Sequence, residues 1–88
     1  APRSPQKLAL DRHTDRRDVT VRWEPVKGAQ GYNVLWGIAP DKLYSSWMVY
    51  GGNELEMKSL TIDQDYYFAV EAFNENGVSL PSETKYVE

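Results

Sequence analysis

The sequence has no cysteine, which excludes disulfides, thiolate nucleophiles and cysteine-ligated metal centres. Export stays open, because a disulfide-free domain folds in either redox environment. There is one histidine, His13, and it has no candidate serine near it in sequence, so the base–nucleophile pairing of a hydrolase is not on offer. No glycine-rich phosphate loop and no Arg-Gly-Asp tripeptide occur. No apolar run approaches the ~20 residues of a membrane-crossing helix, and nothing resembles a signal peptide. Charge of one sign is also lacking at scale. Residues 1–22 carry six basic and three acidic groups, residues 23–88 four and ten, for a net charge of −3. That balance is too acidic and too scattered for a nucleic-acid footprint.

What is present is a soluble composition in a short chain. Of 88 residues, 41% are hydrophobic and 26% charged, which fits one globular domain. A domain of this size buries only ~60–65% of its unfolded surface, so its core has to be well filled. The opening Ala-Pro-Arg-Ser-Pro-Gln (1–6) reads as a lead-in or linker from a longer protein, with the domain proper over 7–88.

The patterning is that of strands, with no helical stretch. Residues 19–23 alternate, placing Val19, Val21 and Trp23 on one face and Thr20 and Arg22 on the other. Residues 7–10, 32–36, 43–50, 54–60, 66–73 and 81–87 complete a set of seven short strands, separated by turns rich in Gly, Pro, Asn and Asp. Leu55 and Met57 share a face of the fifth. Asn74-Glu75-Asn76-Gly77 reads as a hairpin in which Asn76 and Gly77 take positive φ. Pro81 stands at the start of the last strand, where no ladder donor is lost. The expected fold is an all-β, seven-stranded antiparallel sandwich.

The inward phase selects a structural core of Trp23, Tyr32, Val34, Leu60, Tyr66, Phe68 and Val70. Three features in order then carry a family resemblance: Trp23 and Pro25 followed by Gly-Ala-Gln-Gly-Tyr32-Asn-Val34; Leu60 and, six residues on, Tyr66, then Phe68, Val70, Ala72 and Asn74; and Gly77 with Ser79 and Ser82. Together they resemble a fibronectin type III domain, an immunoglobulin-like sandwich, over about residues 7–88. Ile62 departs from the proline often found there. The resemblance implies that Tyr66 sits at the corner of the sandwich, its hydroxyl bonded back to the backbone just upstream. The phrase Trp36-Gly-Ile-Ala-Pro40-Asp-Lys-Leu43-Tyr44 and the hairpin Phe73-Asn-Glu-Asn-Gly77 are similar to fibronectin type III domains appended to bacterial secreted glycoside hydrolases, notably family 43-type enzymes. This narrower likeness implies a non-catalytic accessory domain, outside the cytoplasm, whose partner is a neighbouring catalytic domain of the same chain. No cofactor, no nucleic acid and no membrane insertion is expected of the chain.

Two surfaces are candidates for contact. If Tyr66 and Phe68 face in, then Tyr67, Ala69 and Phe73 face out, and if Tyr32 and Val34 face in, then Leu35 faces out. The resemblance implies that these two strands are neighbours in one sheet, so that Leu35, Tyr67, Ala69 and Phe73 form an apolar docking surface on its outer face. An edge strand over 43–50 cannot bury both faces, so Tyr44, Trp47 and Tyr50 form a candidate sugar platform, able to stack on polysaccharide or on a protein neighbour. An adhesion module binding foreign protein is a third reading. Asp11, His13 and Asp15 have short ligand-like spacing, but the arginines around them argue for a solvated loop over a metal site.

Overall fold

The computed structural model describes residues 2–58 and 60–87. Eight strands follow in order: β1 (Ala9–Arg12), β2 (Val19–Arg22), β3 (Gly31–Gly37), β4 (Ser45–Tyr50), β5 (Glu54–Met57), β6 (Tyr66–Asn74), β7 (Gly77–Val78) and β8 (Lys85–Val87). They form two antiparallel sheets. One has the order β1-β2-β5; the other runs β4-β3-β6, with both β7 and β8 pairing with β6. No helix occurs among the described residues.

The register explains which side chains meet. Tyr32, Val34 and Trp36 stand opposite Ala72, Val70 and Phe68 across β3–β6, and opposite Val49, Trp47 and Ser45 across β3–β4. Directly opposed residues share a face. The inner face is therefore continuous from β4 to β6 and meets Val19, Val21 and Met57 of the three-stranded sheet in one core. All seven residues selected for the core are buried in it. Trp23 and Tyr32 pack edge to face with centroids 5.1 Å apart. Tyr32 Oη accepts from Val26 N–H at 2.8 Å, and Trp23 Nε1 is buried without a partner. Tyr66 Oη accepts from Thr61 N–H at 2.9 Å, which ties the ring to the loop before it.

Four expectations are corrected. First, the opening strand starts at Ala9, because Lys7 adopts positive φ (56°) and turns the chain before Leu8 enters the core. Within the lead-in, Pro5 is fully buried and Gln6 C=O accepts from Glu24 N–H at 2.9 Å, so residues 5 and 6 belong to the domain body. Ala1 and Glu88 lie outside the described residues. Second, the fifth strand ends at Met57 instead of running to Leu60; Ser59, within that stretch, lies outside the described residues. Third, Gly77 has positive φ (134°) but Asn76 does not. Asn74 Oδ1 accepts from Asn76 N–H at 2.8 Å and closes the turn from the side chain.

Fourth, the last strand begins at Lys85 instead of Pro81, and a separate two-residue strand, β7, precedes it. Between β7 and β8 the ladder to β6 is completed by serine side chains. Ser79 N–H donates to Ala72 C=O (2.7 Å) while Ala72 N–H donates to Ser79 Oγ (2.8 Å). Ser82 N–H donates to Val70 C=O (2.7 Å) while Val70 N–H donates to Ser82 Oγ (2.9 Å). Pro81, which has no N–H to give, sits inside this break. Both serines are buried. Their hydroxyls stand where strand carbonyls would be and keep the amides of the central strand satisfied.

Candidate functional sites

Two places combine exposed aromatics with defined geometry: the outer face of the five-stranded sheet, and the open flank between β4 and β5.

On the outer face the register sets four rows. Gly31, Tyr50, Phe73 and Val78 form the first; Asn33, Met48 and Glu71 the second; Leu35, Ser46 and Ala69 the third; Gly37, Tyr67 and Tyr86 the fourth. In the first row Tyr50 packs edge-on against Phe73, centroids 5.6 Å apart. Gly31 makes this possible, since a Cβ there would stand 2.6 Å from Phe73 Cζ. In the fourth row Tyr67 and Tyr86 are 5.2 Å apart, and Tyr86 Oη donates to Asp65 Oδ2 at 2.8 Å.

The sequence-selected residues Leu35, Tyr67, Ala69 and Phe73 are thus on one face, but they are not one patch. The second row crosses between Phe73 and the other three, and in it Asn33 Nδ2 donates to Glu71 Oε1 at 3.0 Å. Ala69 is 1% exposed. Its methyl does not reach past Leu35 opposite or Tyr67 and Glu71 two residues to either side, so it supports the face without presenting itself to a partner. Leu35, Tyr67 and Phe73 are half-buried. Met48, Val78 and Tyr86 join the face, and sequence reasoning missed them. For Tyr86 the signal was present: it shares the phase of Tyr67 once the last strand is paired antiparallel.

Tyr44, Trp47 and Tyr50 do not form one platform. Trp47 opposes Val34 and lies in the inward phase, while Tyr50 opposes Gly31 on the outer face. Tyr44 precedes β4 and is 84% exposed. Trp47 nevertheless remains 57% exposed, because the three-stranded sheet is too narrow to cover it. Trp36, Trp47, Leu55 and Met57 line a groove of about 280 Å³ along this flank, with Glu56 and Lys58 at the rim joined by a 3.5 Å ion pair.

The charged loop 11–18 is more ordered than its composition suggests. Arg12 Nε donates to Arg16 C=O, and its two terminal nitrogens donate to Gln64 and Thr61 C=O, all at 2.7–2.8 Å. The guanidinium lies 5.3 Å from the Tyr66 ring centroid, so one side chain ties this loop to the corner loop. His13 Nε2 is 2.7 Å from Thr20 Oγ1 and covers that threonine, which is buried although it points away from the core. Asp15 is bonded by Arg17, which holds its carboxyl below the usual carboxylate range. Among the described residues, no three His, Asp or Glu side chains converge as metal ligands.

The fold is shared with many solved structures. An Fn3-like protein from Clostridium thermocellum superposes with a TM-score of 0.89 at 19% identity, over all of this chain and 93% of that one. The FN1–FN3 domains of chicken CNTN1 give 0.84 at 24% identity, over 96% of this chain and 29% of that one. The FN3 domain of human collagen XX gives 0.80 at 21%, over 99% and 90%. Comparison with curated proteins gives no match. The family pattern itself is matched over residues 3–88, and the chain belongs to the fibronectin type III domain family, whose members are generally non-catalytic modules.

Proposed function

We propose that the chain is an accessory module of a larger, carbohydrate-degrading enzyme, and that it docks on and spaces the catalytic domain through the outer face of its five-stranded sheet. The observation that carries the docking role is the pair of aromatic clusters there, Tyr50–Phe73 and Tyr67–Tyr86, held at opposite ends of one rigid face. Exposed apolar surface gathered on a rigid face is a common mark of an interface. The Asn33–Glu71 bond between the clusters offers polar groups to fix the register of a partner. The carbohydrate context rests on the sequence likeness of residues 36–44 and 73–77, and it carries with it a parent that works outside the cytoplasm.

The test is made in the parent chain. Tyr67→Ser with Phe73→Ser should lower the melting temperature of the neighbouring domain, as deletion of the module would. An unchanged neighbour removes the docking role. A second reading is favoured by the half-exposed Trp47 beside its groove, which offers a ring for the apolar face of a pyranose. Retardation of the module in gels containing arabinoxylan, arabinan or xylan, lost in Trp47→Ala, would make it a sugar-binding module. Equal migration in every gel would leave docking as the function.

A further inference from the structure

β4 is the outermost strand of the five-stranded sheet, and its free edge has an unusual chemistry. Val70 and Ala72 of β6 turn their N–H and C=O groups toward Ser82 and Ser79. Backbone groups alternate along an antiparallel strand, so Ala69, Glu71 and Phe73 bond toward β3. Alternation along β3 then turns Tyr32, Val34 and Trp36 toward Val49, Trp47 and Ser45 of β4. The N–H and C=O groups of Ser46, Met48 and Tyr50 are left pointing away from the sheet.

Native edges are commonly blunted by charge or proline. Those devices are present elsewhere in this chain: Asp11 and Arg12 on β1, Glu54 and Glu56 on β5, Pro81 and Lys85 along the opposite side of the same sheet. Residues 43–50 have neither. The strand also presents Trp47 at 57%, Met48 at 52% and Tyr50 at 66% exposure.

We propose that two copies of the chain pair through β4, antiparallel about a two-fold axis at Met48, so that their five-stranded sheets join edge to edge. The register follows from the free groups. With Met48 opposite itself, Ser46 of one copy faces Tyr50 of the other and the reverse, and every outward residue meets an outward residue. That arrangement exchanges about six backbone hydrogen bonds. Registers centred one residue earlier or later leave an outward residue of the strand unmatched. No like charges oppose each other along the strand. Taking ~200 Å² for a large side chain, Tyr44, Trp47, Met48 and Tyr50 offer about 500 Å² per copy. Even if all of it were covered, the total would only reach the ~1,000 Å² floor for a specific interface, so the dimer is weak. This pairing does not rest on the docking role proposed above.

Sedimentation over a concentration series tests it. The wild type should show a reversible monomer–dimer equilibrium. Met48→Lys, which sets two ammonium groups against each other at the axis, should weaken it at least tenfold. Val78→Lys makes the same charge change on the same face at the other side of the sheet and should leave it intact. Because the chain has no cysteine, Met48→Cys should give a disulfide-linked dimer under mild oxidation, and Ser45→Cys, which would face Gly51, should not. A wild type that stays monomeric at millimolar concentration overturns the proposal and leaves the edge to a different partner. Equal weakening by both lysines, or equal crosslinking by both cysteines, overturns it as well. Melting curves of each variant confirm that it is folded.

Discussion

Removing the hydroxyl of Ser82 tests the idea that side chains complete the sheet between β7 and β8. In Ser82→Ala the acceptor 2.9 Å from Val70 N–H is lost, and the replacement methyl cannot accept. Val70 is fully buried, so water does not take the place of the hydroxyl without opening the strand. Leaving a buried donor unpaired costs about 1–3 kcal/mol. At about 4–8 °C per kcal/mol for a domain of this size, a loss of ~2 kcal/mol lowers the melting temperature by about 10 °C. Ser79→Ala should do the same through Ala72 N–H, while Thr84→Ala, on the exposed stretch beyond, should stay within about 0.5 kcal/mol. Thermal unfolding followed by circular dichroism gives the stability. Amide hydrogen exchange gives the cause: Val70 and Ala72 should lose protection selectively, each in its own variant. A Ser82→Ala protein that melts with the wild type and keeps Val70 protected would refute the reasoning.

Other perturbations probe different parts of the fold. Tyr66→Phe keeps the ring but removes the acceptor for Thr61 N–H, and a loss of about 1 kcal/mol is expected in urea unfolding. Trp23→Ala empties the centre of the core and should cost about 3–5 kcal/mol, enough to leave much of the chain unfolded at 37 °C. Gly31→Ala should displace the Phe73 ring, seen as altered ring-current shifts at Tyr50, because the new methyl cannot share space with Cζ. The Asp15 carboxyl titrates below its ordinary value of 3.8, first through the Arg17 side-chain bond and then through the Arg17 backbone bond. A depressed folded value means that its stabilising effect holds above the unfolded pKa and is lost as pH falls through the folded one. The effect is small at so exposed a pair, and an NMR titration should show Asp15 rising toward its ordinary value in Arg17→Met.

The inward phase was legible in β2 and β3, where Thr20, Arg22 and Asn33 mark the other face; in β6 both phases carry apolar residues, and the direction came with the family pattern in which Tyr66 follows Leu60 by six residues. Boundaries were less so. The start of β1 depends on the left-handed backbone of Lys7, a residue type that gives no such signal. The late start of β8 depends on two serine hydroxyls that read, in sequence, as ordinary turn residues. Arg12 was hidden by its neighbours: in a stretch with arginines at 12, 16 and 17, nothing local shows that Arg12 reaches the carbonyls of residues 61 and 64.

The contact surfaces were half legible for a related reason. Parity within each strand, with the strand order implied by the family resemblance, put Leu35, Tyr67, Ala69 and Phe73 on one face, but neither carries information on height or on rows. A methyl at position 69 sinks between larger neighbours, and the Asn33–Glu71 bond divides what composition suggested was continuous. On the edge strand the parity itself was ambiguous, since aromatics occupy both phases of residues 43–50. Pairing with β3 resolves it: once Tyr50 opposes Gly31, Trp47 must turn the other way. The consequence is functional. A platform of three rings would have favoured stacking on an extended sugar chain. One ring beside a groove and another over the outer face instead make two separate surfaces that share a single exposed strand. A partner seated on Trp47 or on Tyr50 therefore approaches the same uncharged edge, whereas one seated on Tyr67 and Tyr86 does not, and Met48→Lys tells the two apart while leaving Trp47 and Phe73 in place.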